Sequence, residues 1–105
     1  MYDLEELAGK IVTVKTLTGD EIIATLASVD NDNKMLTLKN PMAVLINGPD
    51  VIIGPVCFSA KAEMVTVRME SLLFVTQTLP ESASDYTGIL KDNMPPKIVE
   101  DADEE

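Results

Sequence analysis

The chain has 105 residues, of which 46% are hydrophobic and 4% aromatic, so it can form one domain with a core of Val, Ile, Leu and Met. Its formal net charge is −10, and it has no histidine, so the usual general base and a common metal ligand are absent. No apolar run reaches the roughly 18 residues of a transmembrane helix. The acidic start of the chain is also unlike a signal peptide, so we expect no membrane partner.

A short helix is predicted at the N-terminus. Asp3 can cap this helix, and Glu6 stands three residues later, where it completes a capping box. Leu4 and Leu7 then share one face of the helix. Gly9 follows, and glycine is typical of the position where a helix ends.

Beyond this glycine, apolar residues alternate with polar ones, which is the period of a half-buried β-strand. The pattern predicts strands over residues 12–17, 21–29, 35–39, 63–69 and 71–78. The third strand can resume after Pro41 over residues 42–46, and residues 47–55 form a loop or a hairpin. Five or six short strands within about 70 residues favour a small barrel.

The last two predicted strands are apolar on both faces. A barrel of this size buries only its inner face, so the outer apolar side chains need another cover. The cover can come from the N-terminal helix, from the 47–58 segment or from strand pairing with a neighbouring subunit. The pattern therefore favours a homo-oligomer.

Charge is unevenly distributed along the chain. Residues 1–79 carry 10 acidic and 6 basic residues, whereas residues 80–105 carry 8 acidic and 2 basic residues. Pro80 is expected to end the regular structure, and Pro95-Pro96 is typical of a linker. We therefore expect residues 80–105 to be an acidic C-terminal extension, largely irregular or disordered, that is either simply solvated or binds a basic protein.

Catalytic and metal sites are not indicated. Cys57 has no basic neighbour to activate it as a nucleophile, so it is predicted to be a small buried side chain in a reducing, cytoplasmic setting. The segment from Asp30 to Met35 begins like a calcium-binding loop, but Pro41 stands where the twelfth ligand should be a glutamate. We expect no cofactor and no enzymatic activity.

Two segments resemble the paired sequence signatures of the Sm-like proteins. The first runs from residue 12 to residue 38, with Gly19 in a turn and Asp30 at the end of its long apolar strand. The second runs from Val65 to Val75, with Arg68 at the turn between two short strands. Both segments occur in the order that the family has. The acidic composition resembles that of the Sm-like proteins of bacteriophages.

The resemblance implies a mainly β fold. This is a small five-stranded SH3-like barrel, the Sm fold, with a short N-terminal helix, and it would cover residues 1–79. In this family the last two strands pair with neighbouring subunits and close rings of about five to seven subunits. Family members usually bind RNA.

The resemblance also implies a binding site. Family members that bind uridine-rich RNA hold a base with an aromatic or similar side chain, an asparagine and an arginine. By this resemblance Arg68 stacks on a base, Asn31 or Asn33 hydrogen-bonds the edge of that base, and Lys34 neutralises a phosphate. No aromatic residue occupies the turn, and Met69 stands where the family has a glycine, which allows a positive φ.

The sequence thus predicts a homo-oligomeric ring that binds single-stranded RNA as a chaperone or regulator and catalyses nothing. The alternative hypothesis is an acidic ring scaffold for protein–protein interaction, with no role in RNA binding. The net charge and the apolar segment from Val51 to Val56 favour that alternative.

Overall fold

The computed structural model describes residues 4–57, 59 and 63–93. Six strands form one antiparallel sheet: β1 (Ile11–Thr16), β2 (Glu21–Asp30), β3 (Met35–Asn47), β4 (Asp50–Pro55), β5 (Met64–Arg68) and β6 (Leu72–Gln77). A 3-10 helix, Leu4–Leu7, precedes β1, and a second one, Met69–Ser71, joins β5 to β6. The helix α1 (Pro80–Asn93) follows the sheet.

The prediction of a mainly β fold is confirmed, with two corrections. The described chain has six strands rather than five, because residues 47–55 form a hairpin that adds β4. Gly48 has a φ of 62° and Pro49 has its φ fixed by the ring, so the two residues favour a tight hairpin turn. The predicted N-terminal helix is only a four-residue 3-10 helix, and its predicted cap lies outside the described residues.

The sheet curls around an aliphatic core. The strands are paired in the order β4-β3-β2-β1-β6, and β5 pairs with β3. Alternate residues of the central strands point inward, and their side chains join one from the N-terminal 3-10 helix. This cluster consists of Leu7, Val12, Val14, Ala24, Leu26, Leu36 and Leu38. Each large aliphatic side chain buried in this way contributes about 1.5–3 kcal/mol to the stability of the fold.

A β-bulge divides β3 into two halves. Two residues of β3, Asn40 and Pro41, lie opposite the single residue Ala24 of β2. Asn40 has a φ of 50°, a conformation that asparagine tolerates better than most residues, and a bulge can accept a proline that has no N–H. The sequence predicted a third strand that stops at residue 39 and can resume after Pro41, but the bulge lets β3 run through Pro41 without a break. Residues 35–39 pair with β5, and residues 42–47 pair with β4.

The helix α1 (Pro80–Asn93) contacts the sheet at this bulge through one side chain. Its Tyr86 is completely buried, and the phenol O–H donates to the backbone carbonyl oxygens of Asn40 at 2.9 Å and Lys39 at 3.1 Å. Two residues before α1, the hydroxyl oxygen of Thr78 lies 2.9 Å from that of Thr13 in β1, within hydrogen-bonding distance. The helix therefore supplies a donor to carbonyl groups in the part of β3 that the bulge disturbs.

The C-terminal region differs from the prediction. Residues 80–93 form α1, because Pro80 suits the first turn of a helix, where its missing N–H has no helical partner. The rest of the acidic extension, residues 94–105, lies outside the described residues. Cys57 is exposed rather than buried. None of the helices in the described ranges is long and apolar enough to cross a membrane.

Tyr86→Phe removes the hydroxyl that pairs with the two carbonyl oxygens of β3. We expect the free energy of unfolding to fall by about 0.5–1.5 kcal/mol, because two part-buried hydrogen bonds are lost. Urea denaturation measures this change. Thr87→Val is the matched control, since Thr87 lies on the same helix but is exposed and bonds only within it. Equal losses in both variants would show that the Tyr86 hydroxyl does not hold α1 to β3.

The same residue predicts a pH dependence. Burial raises the pKa of Tyr86 above its ordinary value of 10.0. Its contribution to stability is therefore complete below about pH 10 and is lost as the pH rises through the folded-state pKa. In urea denaturation between about pH 8 and pH 11, we expect the unfolding free energy of the wild type to fall more steeply than that of Tyr86→Phe. Parallel curves would contradict this linkage.

Candidate nucleic-acid interface

Two turns lie side by side at one end of the sheet. The first turn, residues 31–34, joins β2 to β3, and the second is the 3-10 helix between β5 and β6. Met35 is paired with Arg68 across β3 and β5, and the backbone N–H of Met69 donates to the carbonyl oxygen of Lys34 at 2.9 Å. Strand pairing therefore brings together the two segments that carry the sequence signatures.

An open depression of about 640 Å³ lies between these turns. It is lined by Asn33, Lys34, Met35, Arg68, Met69 and Glu70, a set that we call the turn depression. Three of the four predicted site residues are therefore in one place, although they are up to 35 positions apart in the sequence. Their binding roles stay a prediction.

Asn31 is the predicted site residue that does not line the turn depression. Its side-chain amide nitrogen donates to a carboxylate oxygen of Glu5 at 2.6 Å, which ties the turn to the N-terminal 3-10 helix. Sequence reasoning left Asn31 and Asn33 as alternatives. Of the two, only Asn33 lines the turn depression together with Arg68. The Asn31 side chain instead makes the hydrogen bond to Glu5.

Asp30 anchors the first turn. Its carboxylate accepts hydrogen bonds from the side-chain amide of Asn33 at 2.8 Å and from the backbone N–H of the same residue at 3.1 Å. These bonds, the side-chain one first, lower the pKa of Asp30 below its ordinary value of 3.8. The side-chain bond also fixes the orientation of the Asn33 amide, because its nitrogen faces Asp30. Among the described residues no donor is bonded to its amide oxygen, which can therefore accept a hydrogen bond from a ligand.

Arg68 is held only loosely. Its guanidinium Nη1 lies 3.4 Å from Oε1 of Glu70, and the two side chains are 71% and 74% exposed. An ion pair in such contact with water contributes little, so Arg68 can leave it to contact a ligand. The two turns and the strand residues that flank them carry two bases, Lys34 and Arg68, and three carboxylates, those of Asp30, Asp32 and Glu70. In the described part of the chain, no group of three or more His, Cys, Asp and Glu residues could hold a metal ion.

Two methionines form the apolar part of the turn depression. Met35 and Met69 are each partly buried, and sequence reasoning had assigned neither of them a place in the site. Their signal in the sequence is that each directly follows a predicted site residue. Among the described non-glycine residues only Lys34 and Asn40 have a positive φ, so Met69 is not strained in the position where a glycine was expected.

The chain is similar to solved structures of Sm proteins. A heptameric archaeal Sm protein is 25% identical, with 72% of this chain and 96% of that protein covered and a TM-score of 0.53. The SmAP1 heptamer of P. aerophilum is also 25% identical, with 72% and 88% covered and a TM-score of 0.53. The chain has the Sm fold.

Two further structures are less than 25% identical to the chain and bear on its fold alone. The Sm-like protein AF-Sm2 from Archaeoglobus fulgidus is 17% identical, with 71% of this chain and 88% of that protein covered and a TM-score of 0.51. A chain of the NatC complex bound to CoA is 15% identical, with 80% and 95% covered and a TM-score of 0.51. No family model matches the sequence, and no curated protein matches it.

Asn33→Ala should raise the pKa of Asp30 toward its ordinary value. The variant removes the side-chain donor, which is the main cause of the lowered pKa, and keeps the backbone donor. An NMR titration of the Asp30 carboxyl carbon measures the change. Asn31→Ala is the matched control, because its amide bonds Glu5 and not Asp30. A shift of the same size in both variants would refute the anchoring role of Asn33.

Proposed function

We propose that this chain forms an Sm-type ring and binds single-stranded RNA at the turn depression. The observation that carries this proposal is that Asn33, Lys34 and Arg68 line one open depression in a chain with the Sm fold. The ring acts by binding, as an RNA chaperone or regulator, and not by catalysis. The two heptameric Sm proteins of similar structure support the ring.

Ring closure uses β5 and β6. Within the described residues, β5 pairs only with β3 and β6 pairs only with β1, so each strand has an edge to offer. Met64, Leu73 and Phe74 on these strands are 58%, 59% and 52% exposed. Pairing β5 of one subunit with β6 of the next would occupy both edges and cover these side chains. Seven such contacts would close a ring like those of the neighbours.

RNA binding follows from the groups that line the depression. The guanidinium plane of Arg68 stacks on a base, and the amide oxygen of Asn33 accepts a hydrogen bond from an N–H on the edge of that base. Met35 and Met69 offer polarizable apolar surface to the base in place of an aromatic side chain. Lys34 neutralises a phosphate. Because the depression is repeated in every subunit, successive nucleotides can bind around the ring.

The charge of the chain limits the strength of this binding. With a net charge of −10 per subunit, the body of a ring repels the phosphate backbone. Stacking and base hydrogen bonds must therefore supply more of the affinity than phosphate contacts do. Added salt screens the repulsion as well as the contacts of Lys34 and Arg68, so we expect affinity to depend less on salt than it does in basic RNA-binding proteins.

An acidic ring scaffold for proteins is the second candidate function. The observation that favours it is the apolar hairpin of β3 and β4, where Ile46 and Val51 are 80% and 65% exposed. A ring of the wild-type protein that binds no single-stranded RNA would support this candidate over RNA binding.

Arg68→Ala tests the RNA-binding proposal. Loss of the stacking guanidinium should cost roughly 1–3 kcal/mol per base, which lowers the affinity for oligo(U) on the order of tenfold for each 1.4 kcal/mol. Fluorescence anisotropy with labelled oligo(U) measures the affinity, and native mass spectrometry verifies that the assembly is intact.

Lys91→Ala is the matched control, because it removes the same charge from α1, outside the turn depression. Its affinity for oligo(U) should be close to that of the wild type. Glu70→Gln releases Arg68 from its ion pair and should raise the affinity. If the intact Arg68→Ala assembly binds RNA as well as the wild type does, Arg68 is not part of the binding site.

A further inference from the structure

The hairpin of β3 and β4 is an apolar projection with almost no charge. Its side chains Leu45, Ile46, Val51 and Ile52 are 54%, 80%, 65% and 43% exposed. Residues 40–57 contain a single charged residue, Asp50, in a chain of which 25% of the residues are charged. Exposed apolar surface of this kind usually marks an interaction site.

One edge of this hairpin is open. β4 is the last strand of the sheet and, within the described residues, pairs only with β3. Asn47 and Asp50 are paired on either side of the two-residue turn, so they form the first hydrogen-bonded pair of the hairpin. By alternation the N–H and C=O groups of Ile52 also point toward β3. Those of Val51 and Ile53 point outward.

The middle of the open edge lacks the usual protection against strand pairing. Residues 51–53 contain no charge, no proline and no bulge, and they are β-branched throughout. Prolines stand on both sides of the edge, at positions 49 and 55, and neither offers an N–H. The donors and acceptors that are available for pairing are therefore those of Val51 and Ile53.

We propose that β4 pairs with β4 of a second copy of this chain, antiparallel, about a twofold axis at Ile52. In this register Val51 is opposite Ile53 of the partner subunit, and every outward N–H and C=O group of these two residues gains a bond. An axis at Val51 or at Ile53 would place a proline opposite the other of these two residues, whose outward C=O group would then face no N–H donor. With the axis at Ile52 the two flanking prolines face one another, so no donor or acceptor of Val51 and Ile53 is left unpaired.

Charge restricts where a second copy can dock. Two copies with a net charge of −10 each repel one another over most of their surfaces, and the hairpin is a long surface segment where this repulsion is weakest. An antiparallel edge is also complementary to itself, so a second copy brings a matching set of donors and acceptors. Nucleic acid lacks these backbone groups and is excluded by the apolar, uncharged character of the hairpin.

The surroundings of the hairpin can accommodate the added strand. The cross-strand pairs Val44–Ile53 and Ile46–Val51 present one apolar face to a groove of about 790 Å³. Leu79, which is 74% exposed, lines the other side of this groove, just before α1. A partner strand extends the sheet beside the groove and covers apolar surface that water otherwise contacts.

Native mass spectrometry tests the pairing. We expect the wild-type protein to have an even number of subunits, and Ile53→Pro to have half that number, because the substitution removes an outward N–H without touching a bond to β3. Ile46→Pro is the matched control. The N–H of Ile46 also points away from β4, but toward the other edge of the hairpin, beyond the end of β2. This control should keep the wild-type number of subunits.

A charge swap tests the position of the axis. Ile52→Glu and Ile52→Lys each place like charges opposite one another at the axis, which is destabilising, so each variant alone should have half the wild-type number of subunits. An equimolar mixture of the two should recover the full number, with both variants in one assembly. Circular dichroism establishes that each variant is folded.

These results separate the pairing from the ring. If the wild type has twice as many subunits as the Ile53→Pro variant, the β4 contact is supported. The number of subunits in the variant itself tests the ring. Either proposal can therefore fail without the other. The pairing is overturned if the wild type has the same number of subunits as Ile53→Pro and both Ile52 variants. It is also overturned if Ile46→Pro halves the assembly, or if the mixture of charged variants does not recover it.

Discussion

The β-bulge at Asn40 and Pro41 is the constraint on which the rest of the structure depends. It lets a single strand of 13 residues, β3, pair with β5 in its first half and with β4 in its second. The first half helps to enclose the core, and the second half extends beyond it as a hairpin. The irregular pairing carries a cost, because backbone carbonyls near the bulge need donors. The hydroxyl of Tyr86 meets that need, and in doing so it fixes α1 on the sheet.

The two halves of β3 have different chemical characters. At its start, β3 follows a polar turn in which Asp30 and Asn33 hold one another, and it lies beside Arg68 of β5. At its end it enters a hairpin with a single charge. The polar groups proposed to bind a base are thus kept apart from the apolar groups proposed to pair with a second copy. The acidic body of the chain reinforces this separation, since it disfavours contacts with phosphate and with other copies of the chain over most of the surface.

Much of the fold could be predicted from the sequence, because the positions of the strands and turns follow from residue patterns within short segments. The period of two located the strands, and the two signatures placed Lys34 and Arg68 in turns that the structure brings together. The helix α1 could not be predicted, since its main attachment joins Tyr86 to carbonyl groups 46 and 47 positions away. The choice between Asn31 and Asn33 likewise required a contact with Glu5, 26 positions from Asn31.

The length of β3 has a consequence for how RNA would be captured. Its two ends are at most about 45 Å apart along an extended strand of its length. A twofold axis at the hairpin places the Lys34 ends of two copies on opposite sides of that axis. Two rings joined through their hairpins would then present two separate RNA-binding mouths. A transcript long enough to reach both would bind them as a bivalent ligand, and its avidity would exceed the affinity of any short oligonucleotide.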